Sequence, residues 1–541
     1  GPAVISADGT KIAYSAVTPG VGQQIYLRDL TAGGTRALKG TENGYRPFWS
    51  PDGKYLGFFS SGKLRKIELL SGSTLSLADA PAGRGGSWSP NGTIIYTPNY
   101  RGPVYRVDSG GGGSPVPVTK MDTEQREGTH RFPYFLPDGR HFLFLSRRSV
   151  AGTPEDTAVW LASLDSPERK RLMRAESNAI YASGYLLFAR EKTLLAQPFD
   201  PERLELTGEP VAIAQGVLVD PVYSQGVFSA SESGALIYQV GEVQDKSRIV
   251  WLDRKGNETG VLVDSVAVQD VRISPDARRV AVSIDDPGPG RNIWIEDLAR
   301  DIRSRLTFQS DAVEGQSQWS ADGKELLYAT TADGSMQIYR KATSGTGKTE
   351  HFLDWKGDAW PTSWSPDGKH VLFTALSREK SSSGSDLMAI STEPDSKPEP
   401  YVATSFSEDY ATFSPDGRWV AYTSDESGRT EVYVSPFPKP DGKWQISSSG
   451  GDLPRWREDG REIYYLAPGD RMIAVAVDGS GTSLEVGREQ ALFTHVVNHS
   501  TWQAYDVTPD GQKFLLVVPE KQSTVYPVTL ALNWTAGLAK R

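Results

Sequence analysis

Trp364-Ser365-Pro366-Asp367-Gly368, followed by Lys369-His370-Val371-Leu372-Phe373, decides the fold. Proline presets φ for the first central position of a type I turn, and aspartate tolerates the second. Glycine then supplies the positive φ that closes a hairpin through a bulge. The apolar residues behind the turn read as a strand. The unit recurs at Ile5-Ser6-Ala7-Asp8-Gly9, Trp49-Ser50-Pro51-Asp52-Gly53, Trp88-Ser89-Pro90-Asn91-Gly92 and Phe135-Leu136-Pro137-Asp138-Gly139. It returns at Ile273-Ser274-Pro275-Asp276-Ala277, Trp319-Ser320-Ala321-Asp322-Gly323 and Phe413-Ser414-Pro415-Asp416-Gly417. Trp456-Arg457-Glu458-Asp459-Gly460 and Val507-Thr508-Pro509-Asp510-Gly511 are the last copies. Degenerate copies are expected at Ala182-Ser183-Gly184 and Ser231-Glu232-Ser233-Gly234, which makes about twelve, one every 46 residues or so.

Each turn leads to a third strand such as Asn292-Ile293-Trp294-Ile295 and a short polar fourth such as Ser304-Arg305-Leu306-Thr307. Four antiparallel strands in 40–50 residues make a propeller blade. Twelve blades exceed the usual 4–8 of one ring. The expectation is an all-β chain of two tandem six-bladed β-propellers built from four-stranded antiparallel blades, one over residues 1–245 and one over 246–541. Two readings stay open for Arg248–Gly256: it finishes the first ring, or it helps to close the second. The final blade lacks a fourth strand after Thr529-Leu530-Ala531-Leu532-Asn533-Trp534, and a strand from near residue 260 could fill that gap.

Composition agrees with this architecture. Glycine (54) and proline (35) make up about one residue in six of 541, which suits many turns and few long helices. Cysteine is absent, which excludes disulfides, cysteine metal sites and thiol nucleophiles. The net charge of −9 argues against a nucleic-acid partner. Residues 1–240 carry a net +2 and the remainder −11, so the acidity lies in the second half. No apolar run reaches the ~18 residues of a membrane helix. The chain opens Gly1-Pro2, the pair a tag-removing protease leaves, so any targeting or membrane segment is expected outside these residues.

The Trp-Ser-Pro-Asp-Gly-Lys repeats resemble those of TolB-like, or PD40 (WD40-like), bacterial β-propellers over nearly the whole chain. A narrower likeness is carried by Gly234-Ala235-Leu236-Ile237-Tyr238, Ile249-Val250-Trp251-Leu252-Asp253-Arg254-Lys255-Gly256 and Leu532-Asn533-Trp534-Thr535-Ala536-Gly537-Leu538. In that order they resemble the extracytoplasmic propeller region of bacterial transmembrane serine/threonine kinases. That resemblance implies a sensor on the periplasmic or extracellular face of a membrane, with any kinase domain upstream.

Several strings are decoys. Ala342-Thr343-Ser344-Gly345-Thr346-Gly347-Lys348-Thr349 fits a permissive phosphate-loop pattern but falls between two expected strands, without the helix such a loop needs. His495 and His499 are four apart, but Val496-Val497 between them favours a strand or a loop over a helix. Asn533-Trp534-Thr535 reads as strand packing rather than a glycosylation site. No Gly-x-Ser-x-Gly elbow or His-Glu-x-x-His helix occurs.

Candidate ligand-binding residues are sought where blades differ, in the segments entering each first strand, which open at a channel mouth. In the second ring these are Asp270, Glu314, Asp358, Trp360, Glu408, Asp409, Tyr410 and Asp452. Such carboxylates could hold a cation such as calcium, an amine or a basic peptide. In the first ring they are Tyr45, Arg46, Arg84, His130 and Arg131, which suit an anion or a carboxylate-bearing peptide end. No catalytic residue and no required cofactor is assigned. The expectation is a non-enzymatic module that binds a protein or peptide. The alternatives are a TolB-like scaffold in periplasmic assembly and, less favoured, a lyase or hydrolase using channel acids.

Overall fold

The computed structural model describes residues 2–18, 22–99, 102–122, 127–148, 157–220, 223–241, 246–285, 290–309, 312–332, 335–377, 384–499, 501–520 and 527–538. Their regular structure is β-strand, with one short 3-10 turn at Trp534–Gly537 and no α-helix among the described residues. The chain divides into two compact units. Unit 1 is Gly1–Gln244 with Thr524–Arg541, and unit 2 is Asp245–Ser523.

The repeated turn forms as its chemistry dictates. In Ser50-Pro51-Asp52-Gly53 the Ser50 hydroxyl donates to Asp52 at 2.6 Å and accepts the Tyr55 amide at 2.9 Å. Asp52 in turn accepts the Lys54 amide at 3.1 Å. The same Ser-to-Asp bond recurs at Ser320–Asp322, Ser365–Asp367 and Ser414–Asp416. Gly368 sits at φ 74°, as the bulge requires, and Ala277 occupies the equivalent place at φ 52° without glycine's freedom.

In unit 1 four sheets run in order outward from their first strands, over 4–37, 45–79, 86–117 and 127–174, and a five-stranded one covers 180–215. Apolar residues pack between neighbouring sheets: Phe48, Phe59 and Leu64 meet Ile94, Tyr96 and Val107. Tryptophans at first-strand ends join sheets too. Trp49 Nε1 donates to the Val4 carbonyl at 3.1 Å, and in unit 2 Trp319 Nε1 reaches the Arg272 carbonyl at 3.0 Å. The last sheet of unit 1 holds Phe228–Ala230, Ala235–Gln239 and, unexpectedly, Val528–Leu532. Its Ala235 and Ile237 pack on Ile5 and Ile12 of the first sheet, so the succession closes on itself.

Unit 2 begins with a seven-stranded sheet and continues through four-stranded sheets over 314–353, 357–402, 408–445 and 452–494. The 16-residue strand Glu258–Ile273 serves both halves of the large sheet. Its first part, to Ala267, pairs with Lys246–Asp253, and its second, from Val268, pairs with Arg279–Asp285. Lys246–Asp253 also pairs with Lys513–Pro519. Val250 and Leu252 then pack with Leu453, Tyr464 and Phe514, against the sheet before them.

Of the two open readings, Arg248–Gly256 helps to close unit 2, and the strand from near residue 260 pairs with it rather than beside Thr529–Trp534 as expected. However, residues 524–541 belong to unit 1, not to the second unit as the 246–541 boundary implied. Val528–Leu532 covers the open edge of Ala235–Gln239, and Trp534, 7% exposed, packs with Leu187, Phe228 and Leu236 of unit 1. Burial of that indole decides where the tail goes. The phosphate-loop-like string is a hairpin between Gln337–Ala342 and Glu350–Leu353. His499 bonds Asp470 at 2.6 Å while His495 bonds the Val496 carbonyl at 3.1 Å, so the two do not share a helix face.

Trp534→Ala is expected to destabilise unit 1 by about 3 kcal/mol in denaturant titration. Amide protection of Ala235–Gln239 in hydrogen exchange should fall with it. Unchanged protection there would refute this closure.

Candidate functional site

First strands of successive sheets pack beside one another within each unit, so they line its axis. Regular alternation would fix every side chain to one face of the sheet. Bulges break it: register shifts fall between Tyr45 and Phe48, Arg131 and Tyr134, Gly315 and Gln318, Asp409 and Thr412, and Asp452 and Arg455. Each contains a non-glycine residue at positive φ: Arg46 48°, Phe132 52°, Gln316 59°, Tyr410 52° and Leu453 55°. Such residues cost about 1 kcal/mol or more each and persist only where the surrounding structure imposes them. A bulge re-aims a side chain, and these sit where the chain meets the axis.

In unit 1 the bulges and the segment before Gly86–Trp88 gather arginines around the hairpin Val219–Asp220 and Gln225–Gly226. Arg46 donates through Nε to Gln225 at 3.1 Å and through Nη1 to the Gly83 carbonyl at 3.2 Å. The guanidiniums of Arg46 and Arg84 lie 4.6 and 4.8 Å from the ring centre of Tyr223, a cation–π pairing. Arg131, 6% exposed, donates to the Tyr223 carbonyl at 2.9 Å, and Arg147 to the Ser224 hydroxyl at 3.2 Å. Burial pulls Arg46 down to about 10, and neighbouring Arg84 pulls the same way. Arg131 is lowered by burial first and then by Arg147, Arg84 and Arg46. Asp220 acts oppositely on Arg46 and Arg147. Two like charges 8 Å apart repel by about 2 kcal/mol at an effective dielectric of 20, so the cluster is held together by the fold. Tyr45 is half-buried beside it, with Arg46 5.9 Å from its ring centre.

His130 does not join this group. It is fully buried, 4.5 Å from Phe144 between ring centres, with Nδ1 on Thr119 at 2.9 Å and Nε2 on Glu127 at 3.1 Å. Arg169 holds both Glu127 oxygens at 2.7 and 2.8 Å. Burial alone would raise Glu127, but bonds from His130 and Arg169 hold it at about 2. Burial lowers His130, which favours its neutral form. This is an internal buttress of the sheet.

In unit 2 the candidate carboxylates are mostly turned inward. Asp270 is 1% exposed, with Oδ2 on the Ser317 amide at 2.9 Å and Oδ1 buried without a hydrogen-bond partner. Glu314 and Glu408 are each 1% exposed, and burial pushes both up to about 7. Thr404 donates its hydroxyl to Glu408 at 2.6 Å. Asp358 is buried and accepts the Met336 amide at 3.0 Å. Asp409 accepts Trp360 Nε1 at 3.2 Å, Thr374 at 2.6 Å and the Tyr410 amide at 2.7 Å, and burial raises it. Asp452 is pushed up to about 6 by burial, with a further push from Asp409. Thus Asp409, Asp452, Trp360 and Tyr410 share one place, while Asp270, Glu314, Asp358 and Glu408 are held separately. Among the described residues no three histidine, aspartate or glutamate side chains gather as a metal site would need.

Unit 2 also has basic residues at its axis that composition hid. Arg272 and Arg455 are buried and face Asp506 at 3.6 and 3.3 Å. Asp506 further accepts the Ile273 amide at 2.8 Å. The residues missed in unit 1 are Tyr223 and Arg147. Tyr223 enters the degenerate sixth copy, where the turn signature fades. Arg147 lies on a second strand, outside the segments searched.

No family model matches the chain. It is 28% identical over 169 residues to the Tol-Pal system protein TolB of Alcanivorax borkumensis, covering 30% of this chain and 37% of that protein. It is 25% identical over 207 residues to the protein of the same name from Francisella tularensis subsp. mediasiatica, covering 38% of this chain and 45% of that one. A crystal structure of TolB from Acinetobacter baumannii is similar at 14% identity and a TM-score of 0.36, covering 65% of this chain and 80% of that one. The chain carries TolB-like propeller repeats. Its matches span less than half the length of both TolB relatives. Among the described residues no helix is long and apolar enough to cross a membrane.

One pH dependence follows for these TolB-like repeats. Glu314 sits at about 7 when folded, against an ordinary 4.5, so the folded chain keeps a proton that the unfolded chain loses. Its contribution to stability is full below about pH 4.5 and declines as pH rises towards 7, by on the order of 3 kcal/mol. Glu314→Gln is therefore expected to flatten the fall in denaturant midpoint between pH 5 and pH 8. An equal fall in the parent and the variant would refute the assignment.

Proposed function

We propose that the chain is a non-enzymatic, protein- or peptide-binding module on the periplasmic or extracellular face of a bacterial membrane. In this reading each unit is a six-bladed propeller whose ligand enters at the channel. The supporting observation is where the buried charge lies. In unit 1 buried Arg131 and half-buried Arg46 lie at first-strand bulges that hold strained residues, and in unit 2 the buried carboxylates Asp270, Glu314, Asp358 and Glu408 lie on first strands, with Trp360 and Tyr410. Rigid scaffolds place binding groups in this way.

Two versions of the role fit. A TolB-like assembly scaffold is favoured by the TolB relatives. A membrane-signalling sensor of the kinase type rests on the segments Gly234–Tyr238, Ile249–Gly256 and Leu532–Leu538, which are the segments around which the two units close. Calcium at the acidic mouth would be confined to the Asp409–Asp452 pair.

A photo-crosslinking residue at Tyr45, used in intact envelopes, should give a discrete protein adduct that is lost with Arg46→Gln. The same residue at Leu70, 97% exposed, is the control and should give none. No adduct at position 45 would contradict the binding role. So would turnover on a peptide or oligosaccharide panel that Asp409→Asn with Asp452→Asn abolishes.

A further inference from the structure

We propose that the outer edge of the strand Val528–Leu532 in unit 1 is a docking site for an extended segment of a partner protein, which pairs there as the fourth strand of the sheet. The sheet holds three strands in the order Phe228–Ala230, Ala235–Gln239 and Val528–Leu532, and among the described residues none pairs with the far side of the last. The five sheets before it in unit 1 each carry a further strand beside the third. These are Thr35–Ala37, Thr74–Asp79, Val116–Pro117, Ser166–Arg174 and Val211–Gln215, and all of them pair antiparallel. The occupant that fits this position is therefore a short extended segment running against the third strand.

The exposed side chains of the edge continue a core face. Ala235 and Ile237 are buried against Ile5 and Ile12 of the first sheet. Across the pairing they stand opposite Leu532 and Leu530, and Val528 stands opposite Gln239. Residues directly opposite share one face of a sheet, so Val528, Leu530 and Leu532 prolong that apolar face. Yet they are 42%, 41% and 69% exposed. Outermost strands normally carry charge or proline, which keeps them from pairing further. Arg36, Asp79, Pro117 and the charged run Glu168–Arg171 do this in four of the other five sheets. Val528-Thr529-Leu530-Ala531-Leu532 has neither.

Size separates a partner segment from a second copy of this chain. A stable interface between folded proteins uses roughly 20–30 residues a side. An edge of five residues offers far fewer. Strand addition needs no such area, because main-chain hydrogen bonds supply the affinity and alternate side chains the specificity. Five residues span about 17 Å, so the docked segment is of similar length, with apolar residues at alternate positions to lie beside Leu530. The edge is two strands away from the first strands of unit 1, so this site stands or falls separately from the proposed role at the channel.

Hydrogen exchange on the full 541-residue chain tests it, with acetyl-Lys-Thr-Val-Thr-Val-Thr-Val-Lys-amide as the probe. Main-chain bonds lead in this mode of binding, so a generic strand serves. The peptide should bring new amide protection at Val528–Leu532, and the same peptide N-methylated throughout, which cannot donate, should bring none. Leu530→Lys and Leu532→Lys should each weaken binding about tenfold, since each removes an apolar contact and puts a charge on the edge. Leu532 is the more exposed, so its variant serves if Leu530→Lys disturbs the pairing with Ile237. The proposal is overturned if the free peptide gives no protection at millimolar concentration, if the methylated peptide protects equally, or if both variants bind as the parent does. It is also overturned if sedimentation shows a dimer of the chain that both variants dissolve, because the edge then belongs to a second copy.

Discussion

Both units depend on a strand delivered from far along the chain. An antiparallel sheet that ends in an unpaired strand leaves a row of free amides and carbonyls and an uncovered apolar face. In unit 1 the strand Ala235–Gln239 meets Val528–Leu532, and in unit 2 Lys246–Asp253 meets Lys513–Pro519. Unit 2 is therefore an insertion in the chain of unit 1. The entropic cost is modest, because loop closure grows only with the logarithm of length, about 0.6 kcal/mol per doubling. Once closed, each sheet has neighbours on both faces, and the cores are shared between sheets rather than held within them.

Closure rests on a small set of repeated local devices. The serine–aspartate turn satisfies its own amides and starts the second strand in register. The tryptophan at the end of a first strand donates to the backbone of the preceding sheet. Because these bonds recur around each unit, the chain needs no disulfide to hold it. The rigid frame also tolerates what isolated strands would not. Arg46, Phe132, Gln316, Tyr410 and Leu453 adopt left-handed backbone at the axis, and Glu314 and Glu408, pushed up to about 7 by burial, lie on the same first strands. Strain and unbalanced charge collect on the strands that face the channel.

Much of this was legible in the residues. The turn signature, the all-β architecture and the four-strand succession come directly from local chemistry. So does the placing of Arg46, Arg84 and Arg131 in one region, since each precedes the same turn. What was not legible depends on tertiary contact. The tail strand Thr529–Leu532 reads as a strand in either unit, and only burial of Trp534 among Leu187, Phe228 and Leu236 decides between them. His130 looks like its channel neighbours in sequence, yet the two-faced strand turns it onto Glu127 and Arg169. Asp270, Glu314 and Asp358 were expected to open onto a channel mouth but are buried, because residue type reports charge and not the direction in which the backbone turns a side chain. Tyr223 was missed because the copy it enters has lost the proline and aspartate that mark the others.

The closed succession of sheets in each unit places charged groups on the first strands and fixes their geometry. If the long-range closures fail, the axial strands lose their neighbours and the arginine cluster cannot be held against its own repulsion. Since the chain has no cysteine, the closure of unit 1 can be tested with a single engineered pair. Ile237 and Leu530 are directly paired across antiparallel strands, a separation compatible with a disulfide. In Ile237→Cys with Leu530→Cys, mild oxidation should form an intramolecular disulfide, seen by mass spectrometry of the digested protein, with the native fold retained. Free thiols after oxidation, or disulfides only between molecules, would contradict the closure on which the account rests.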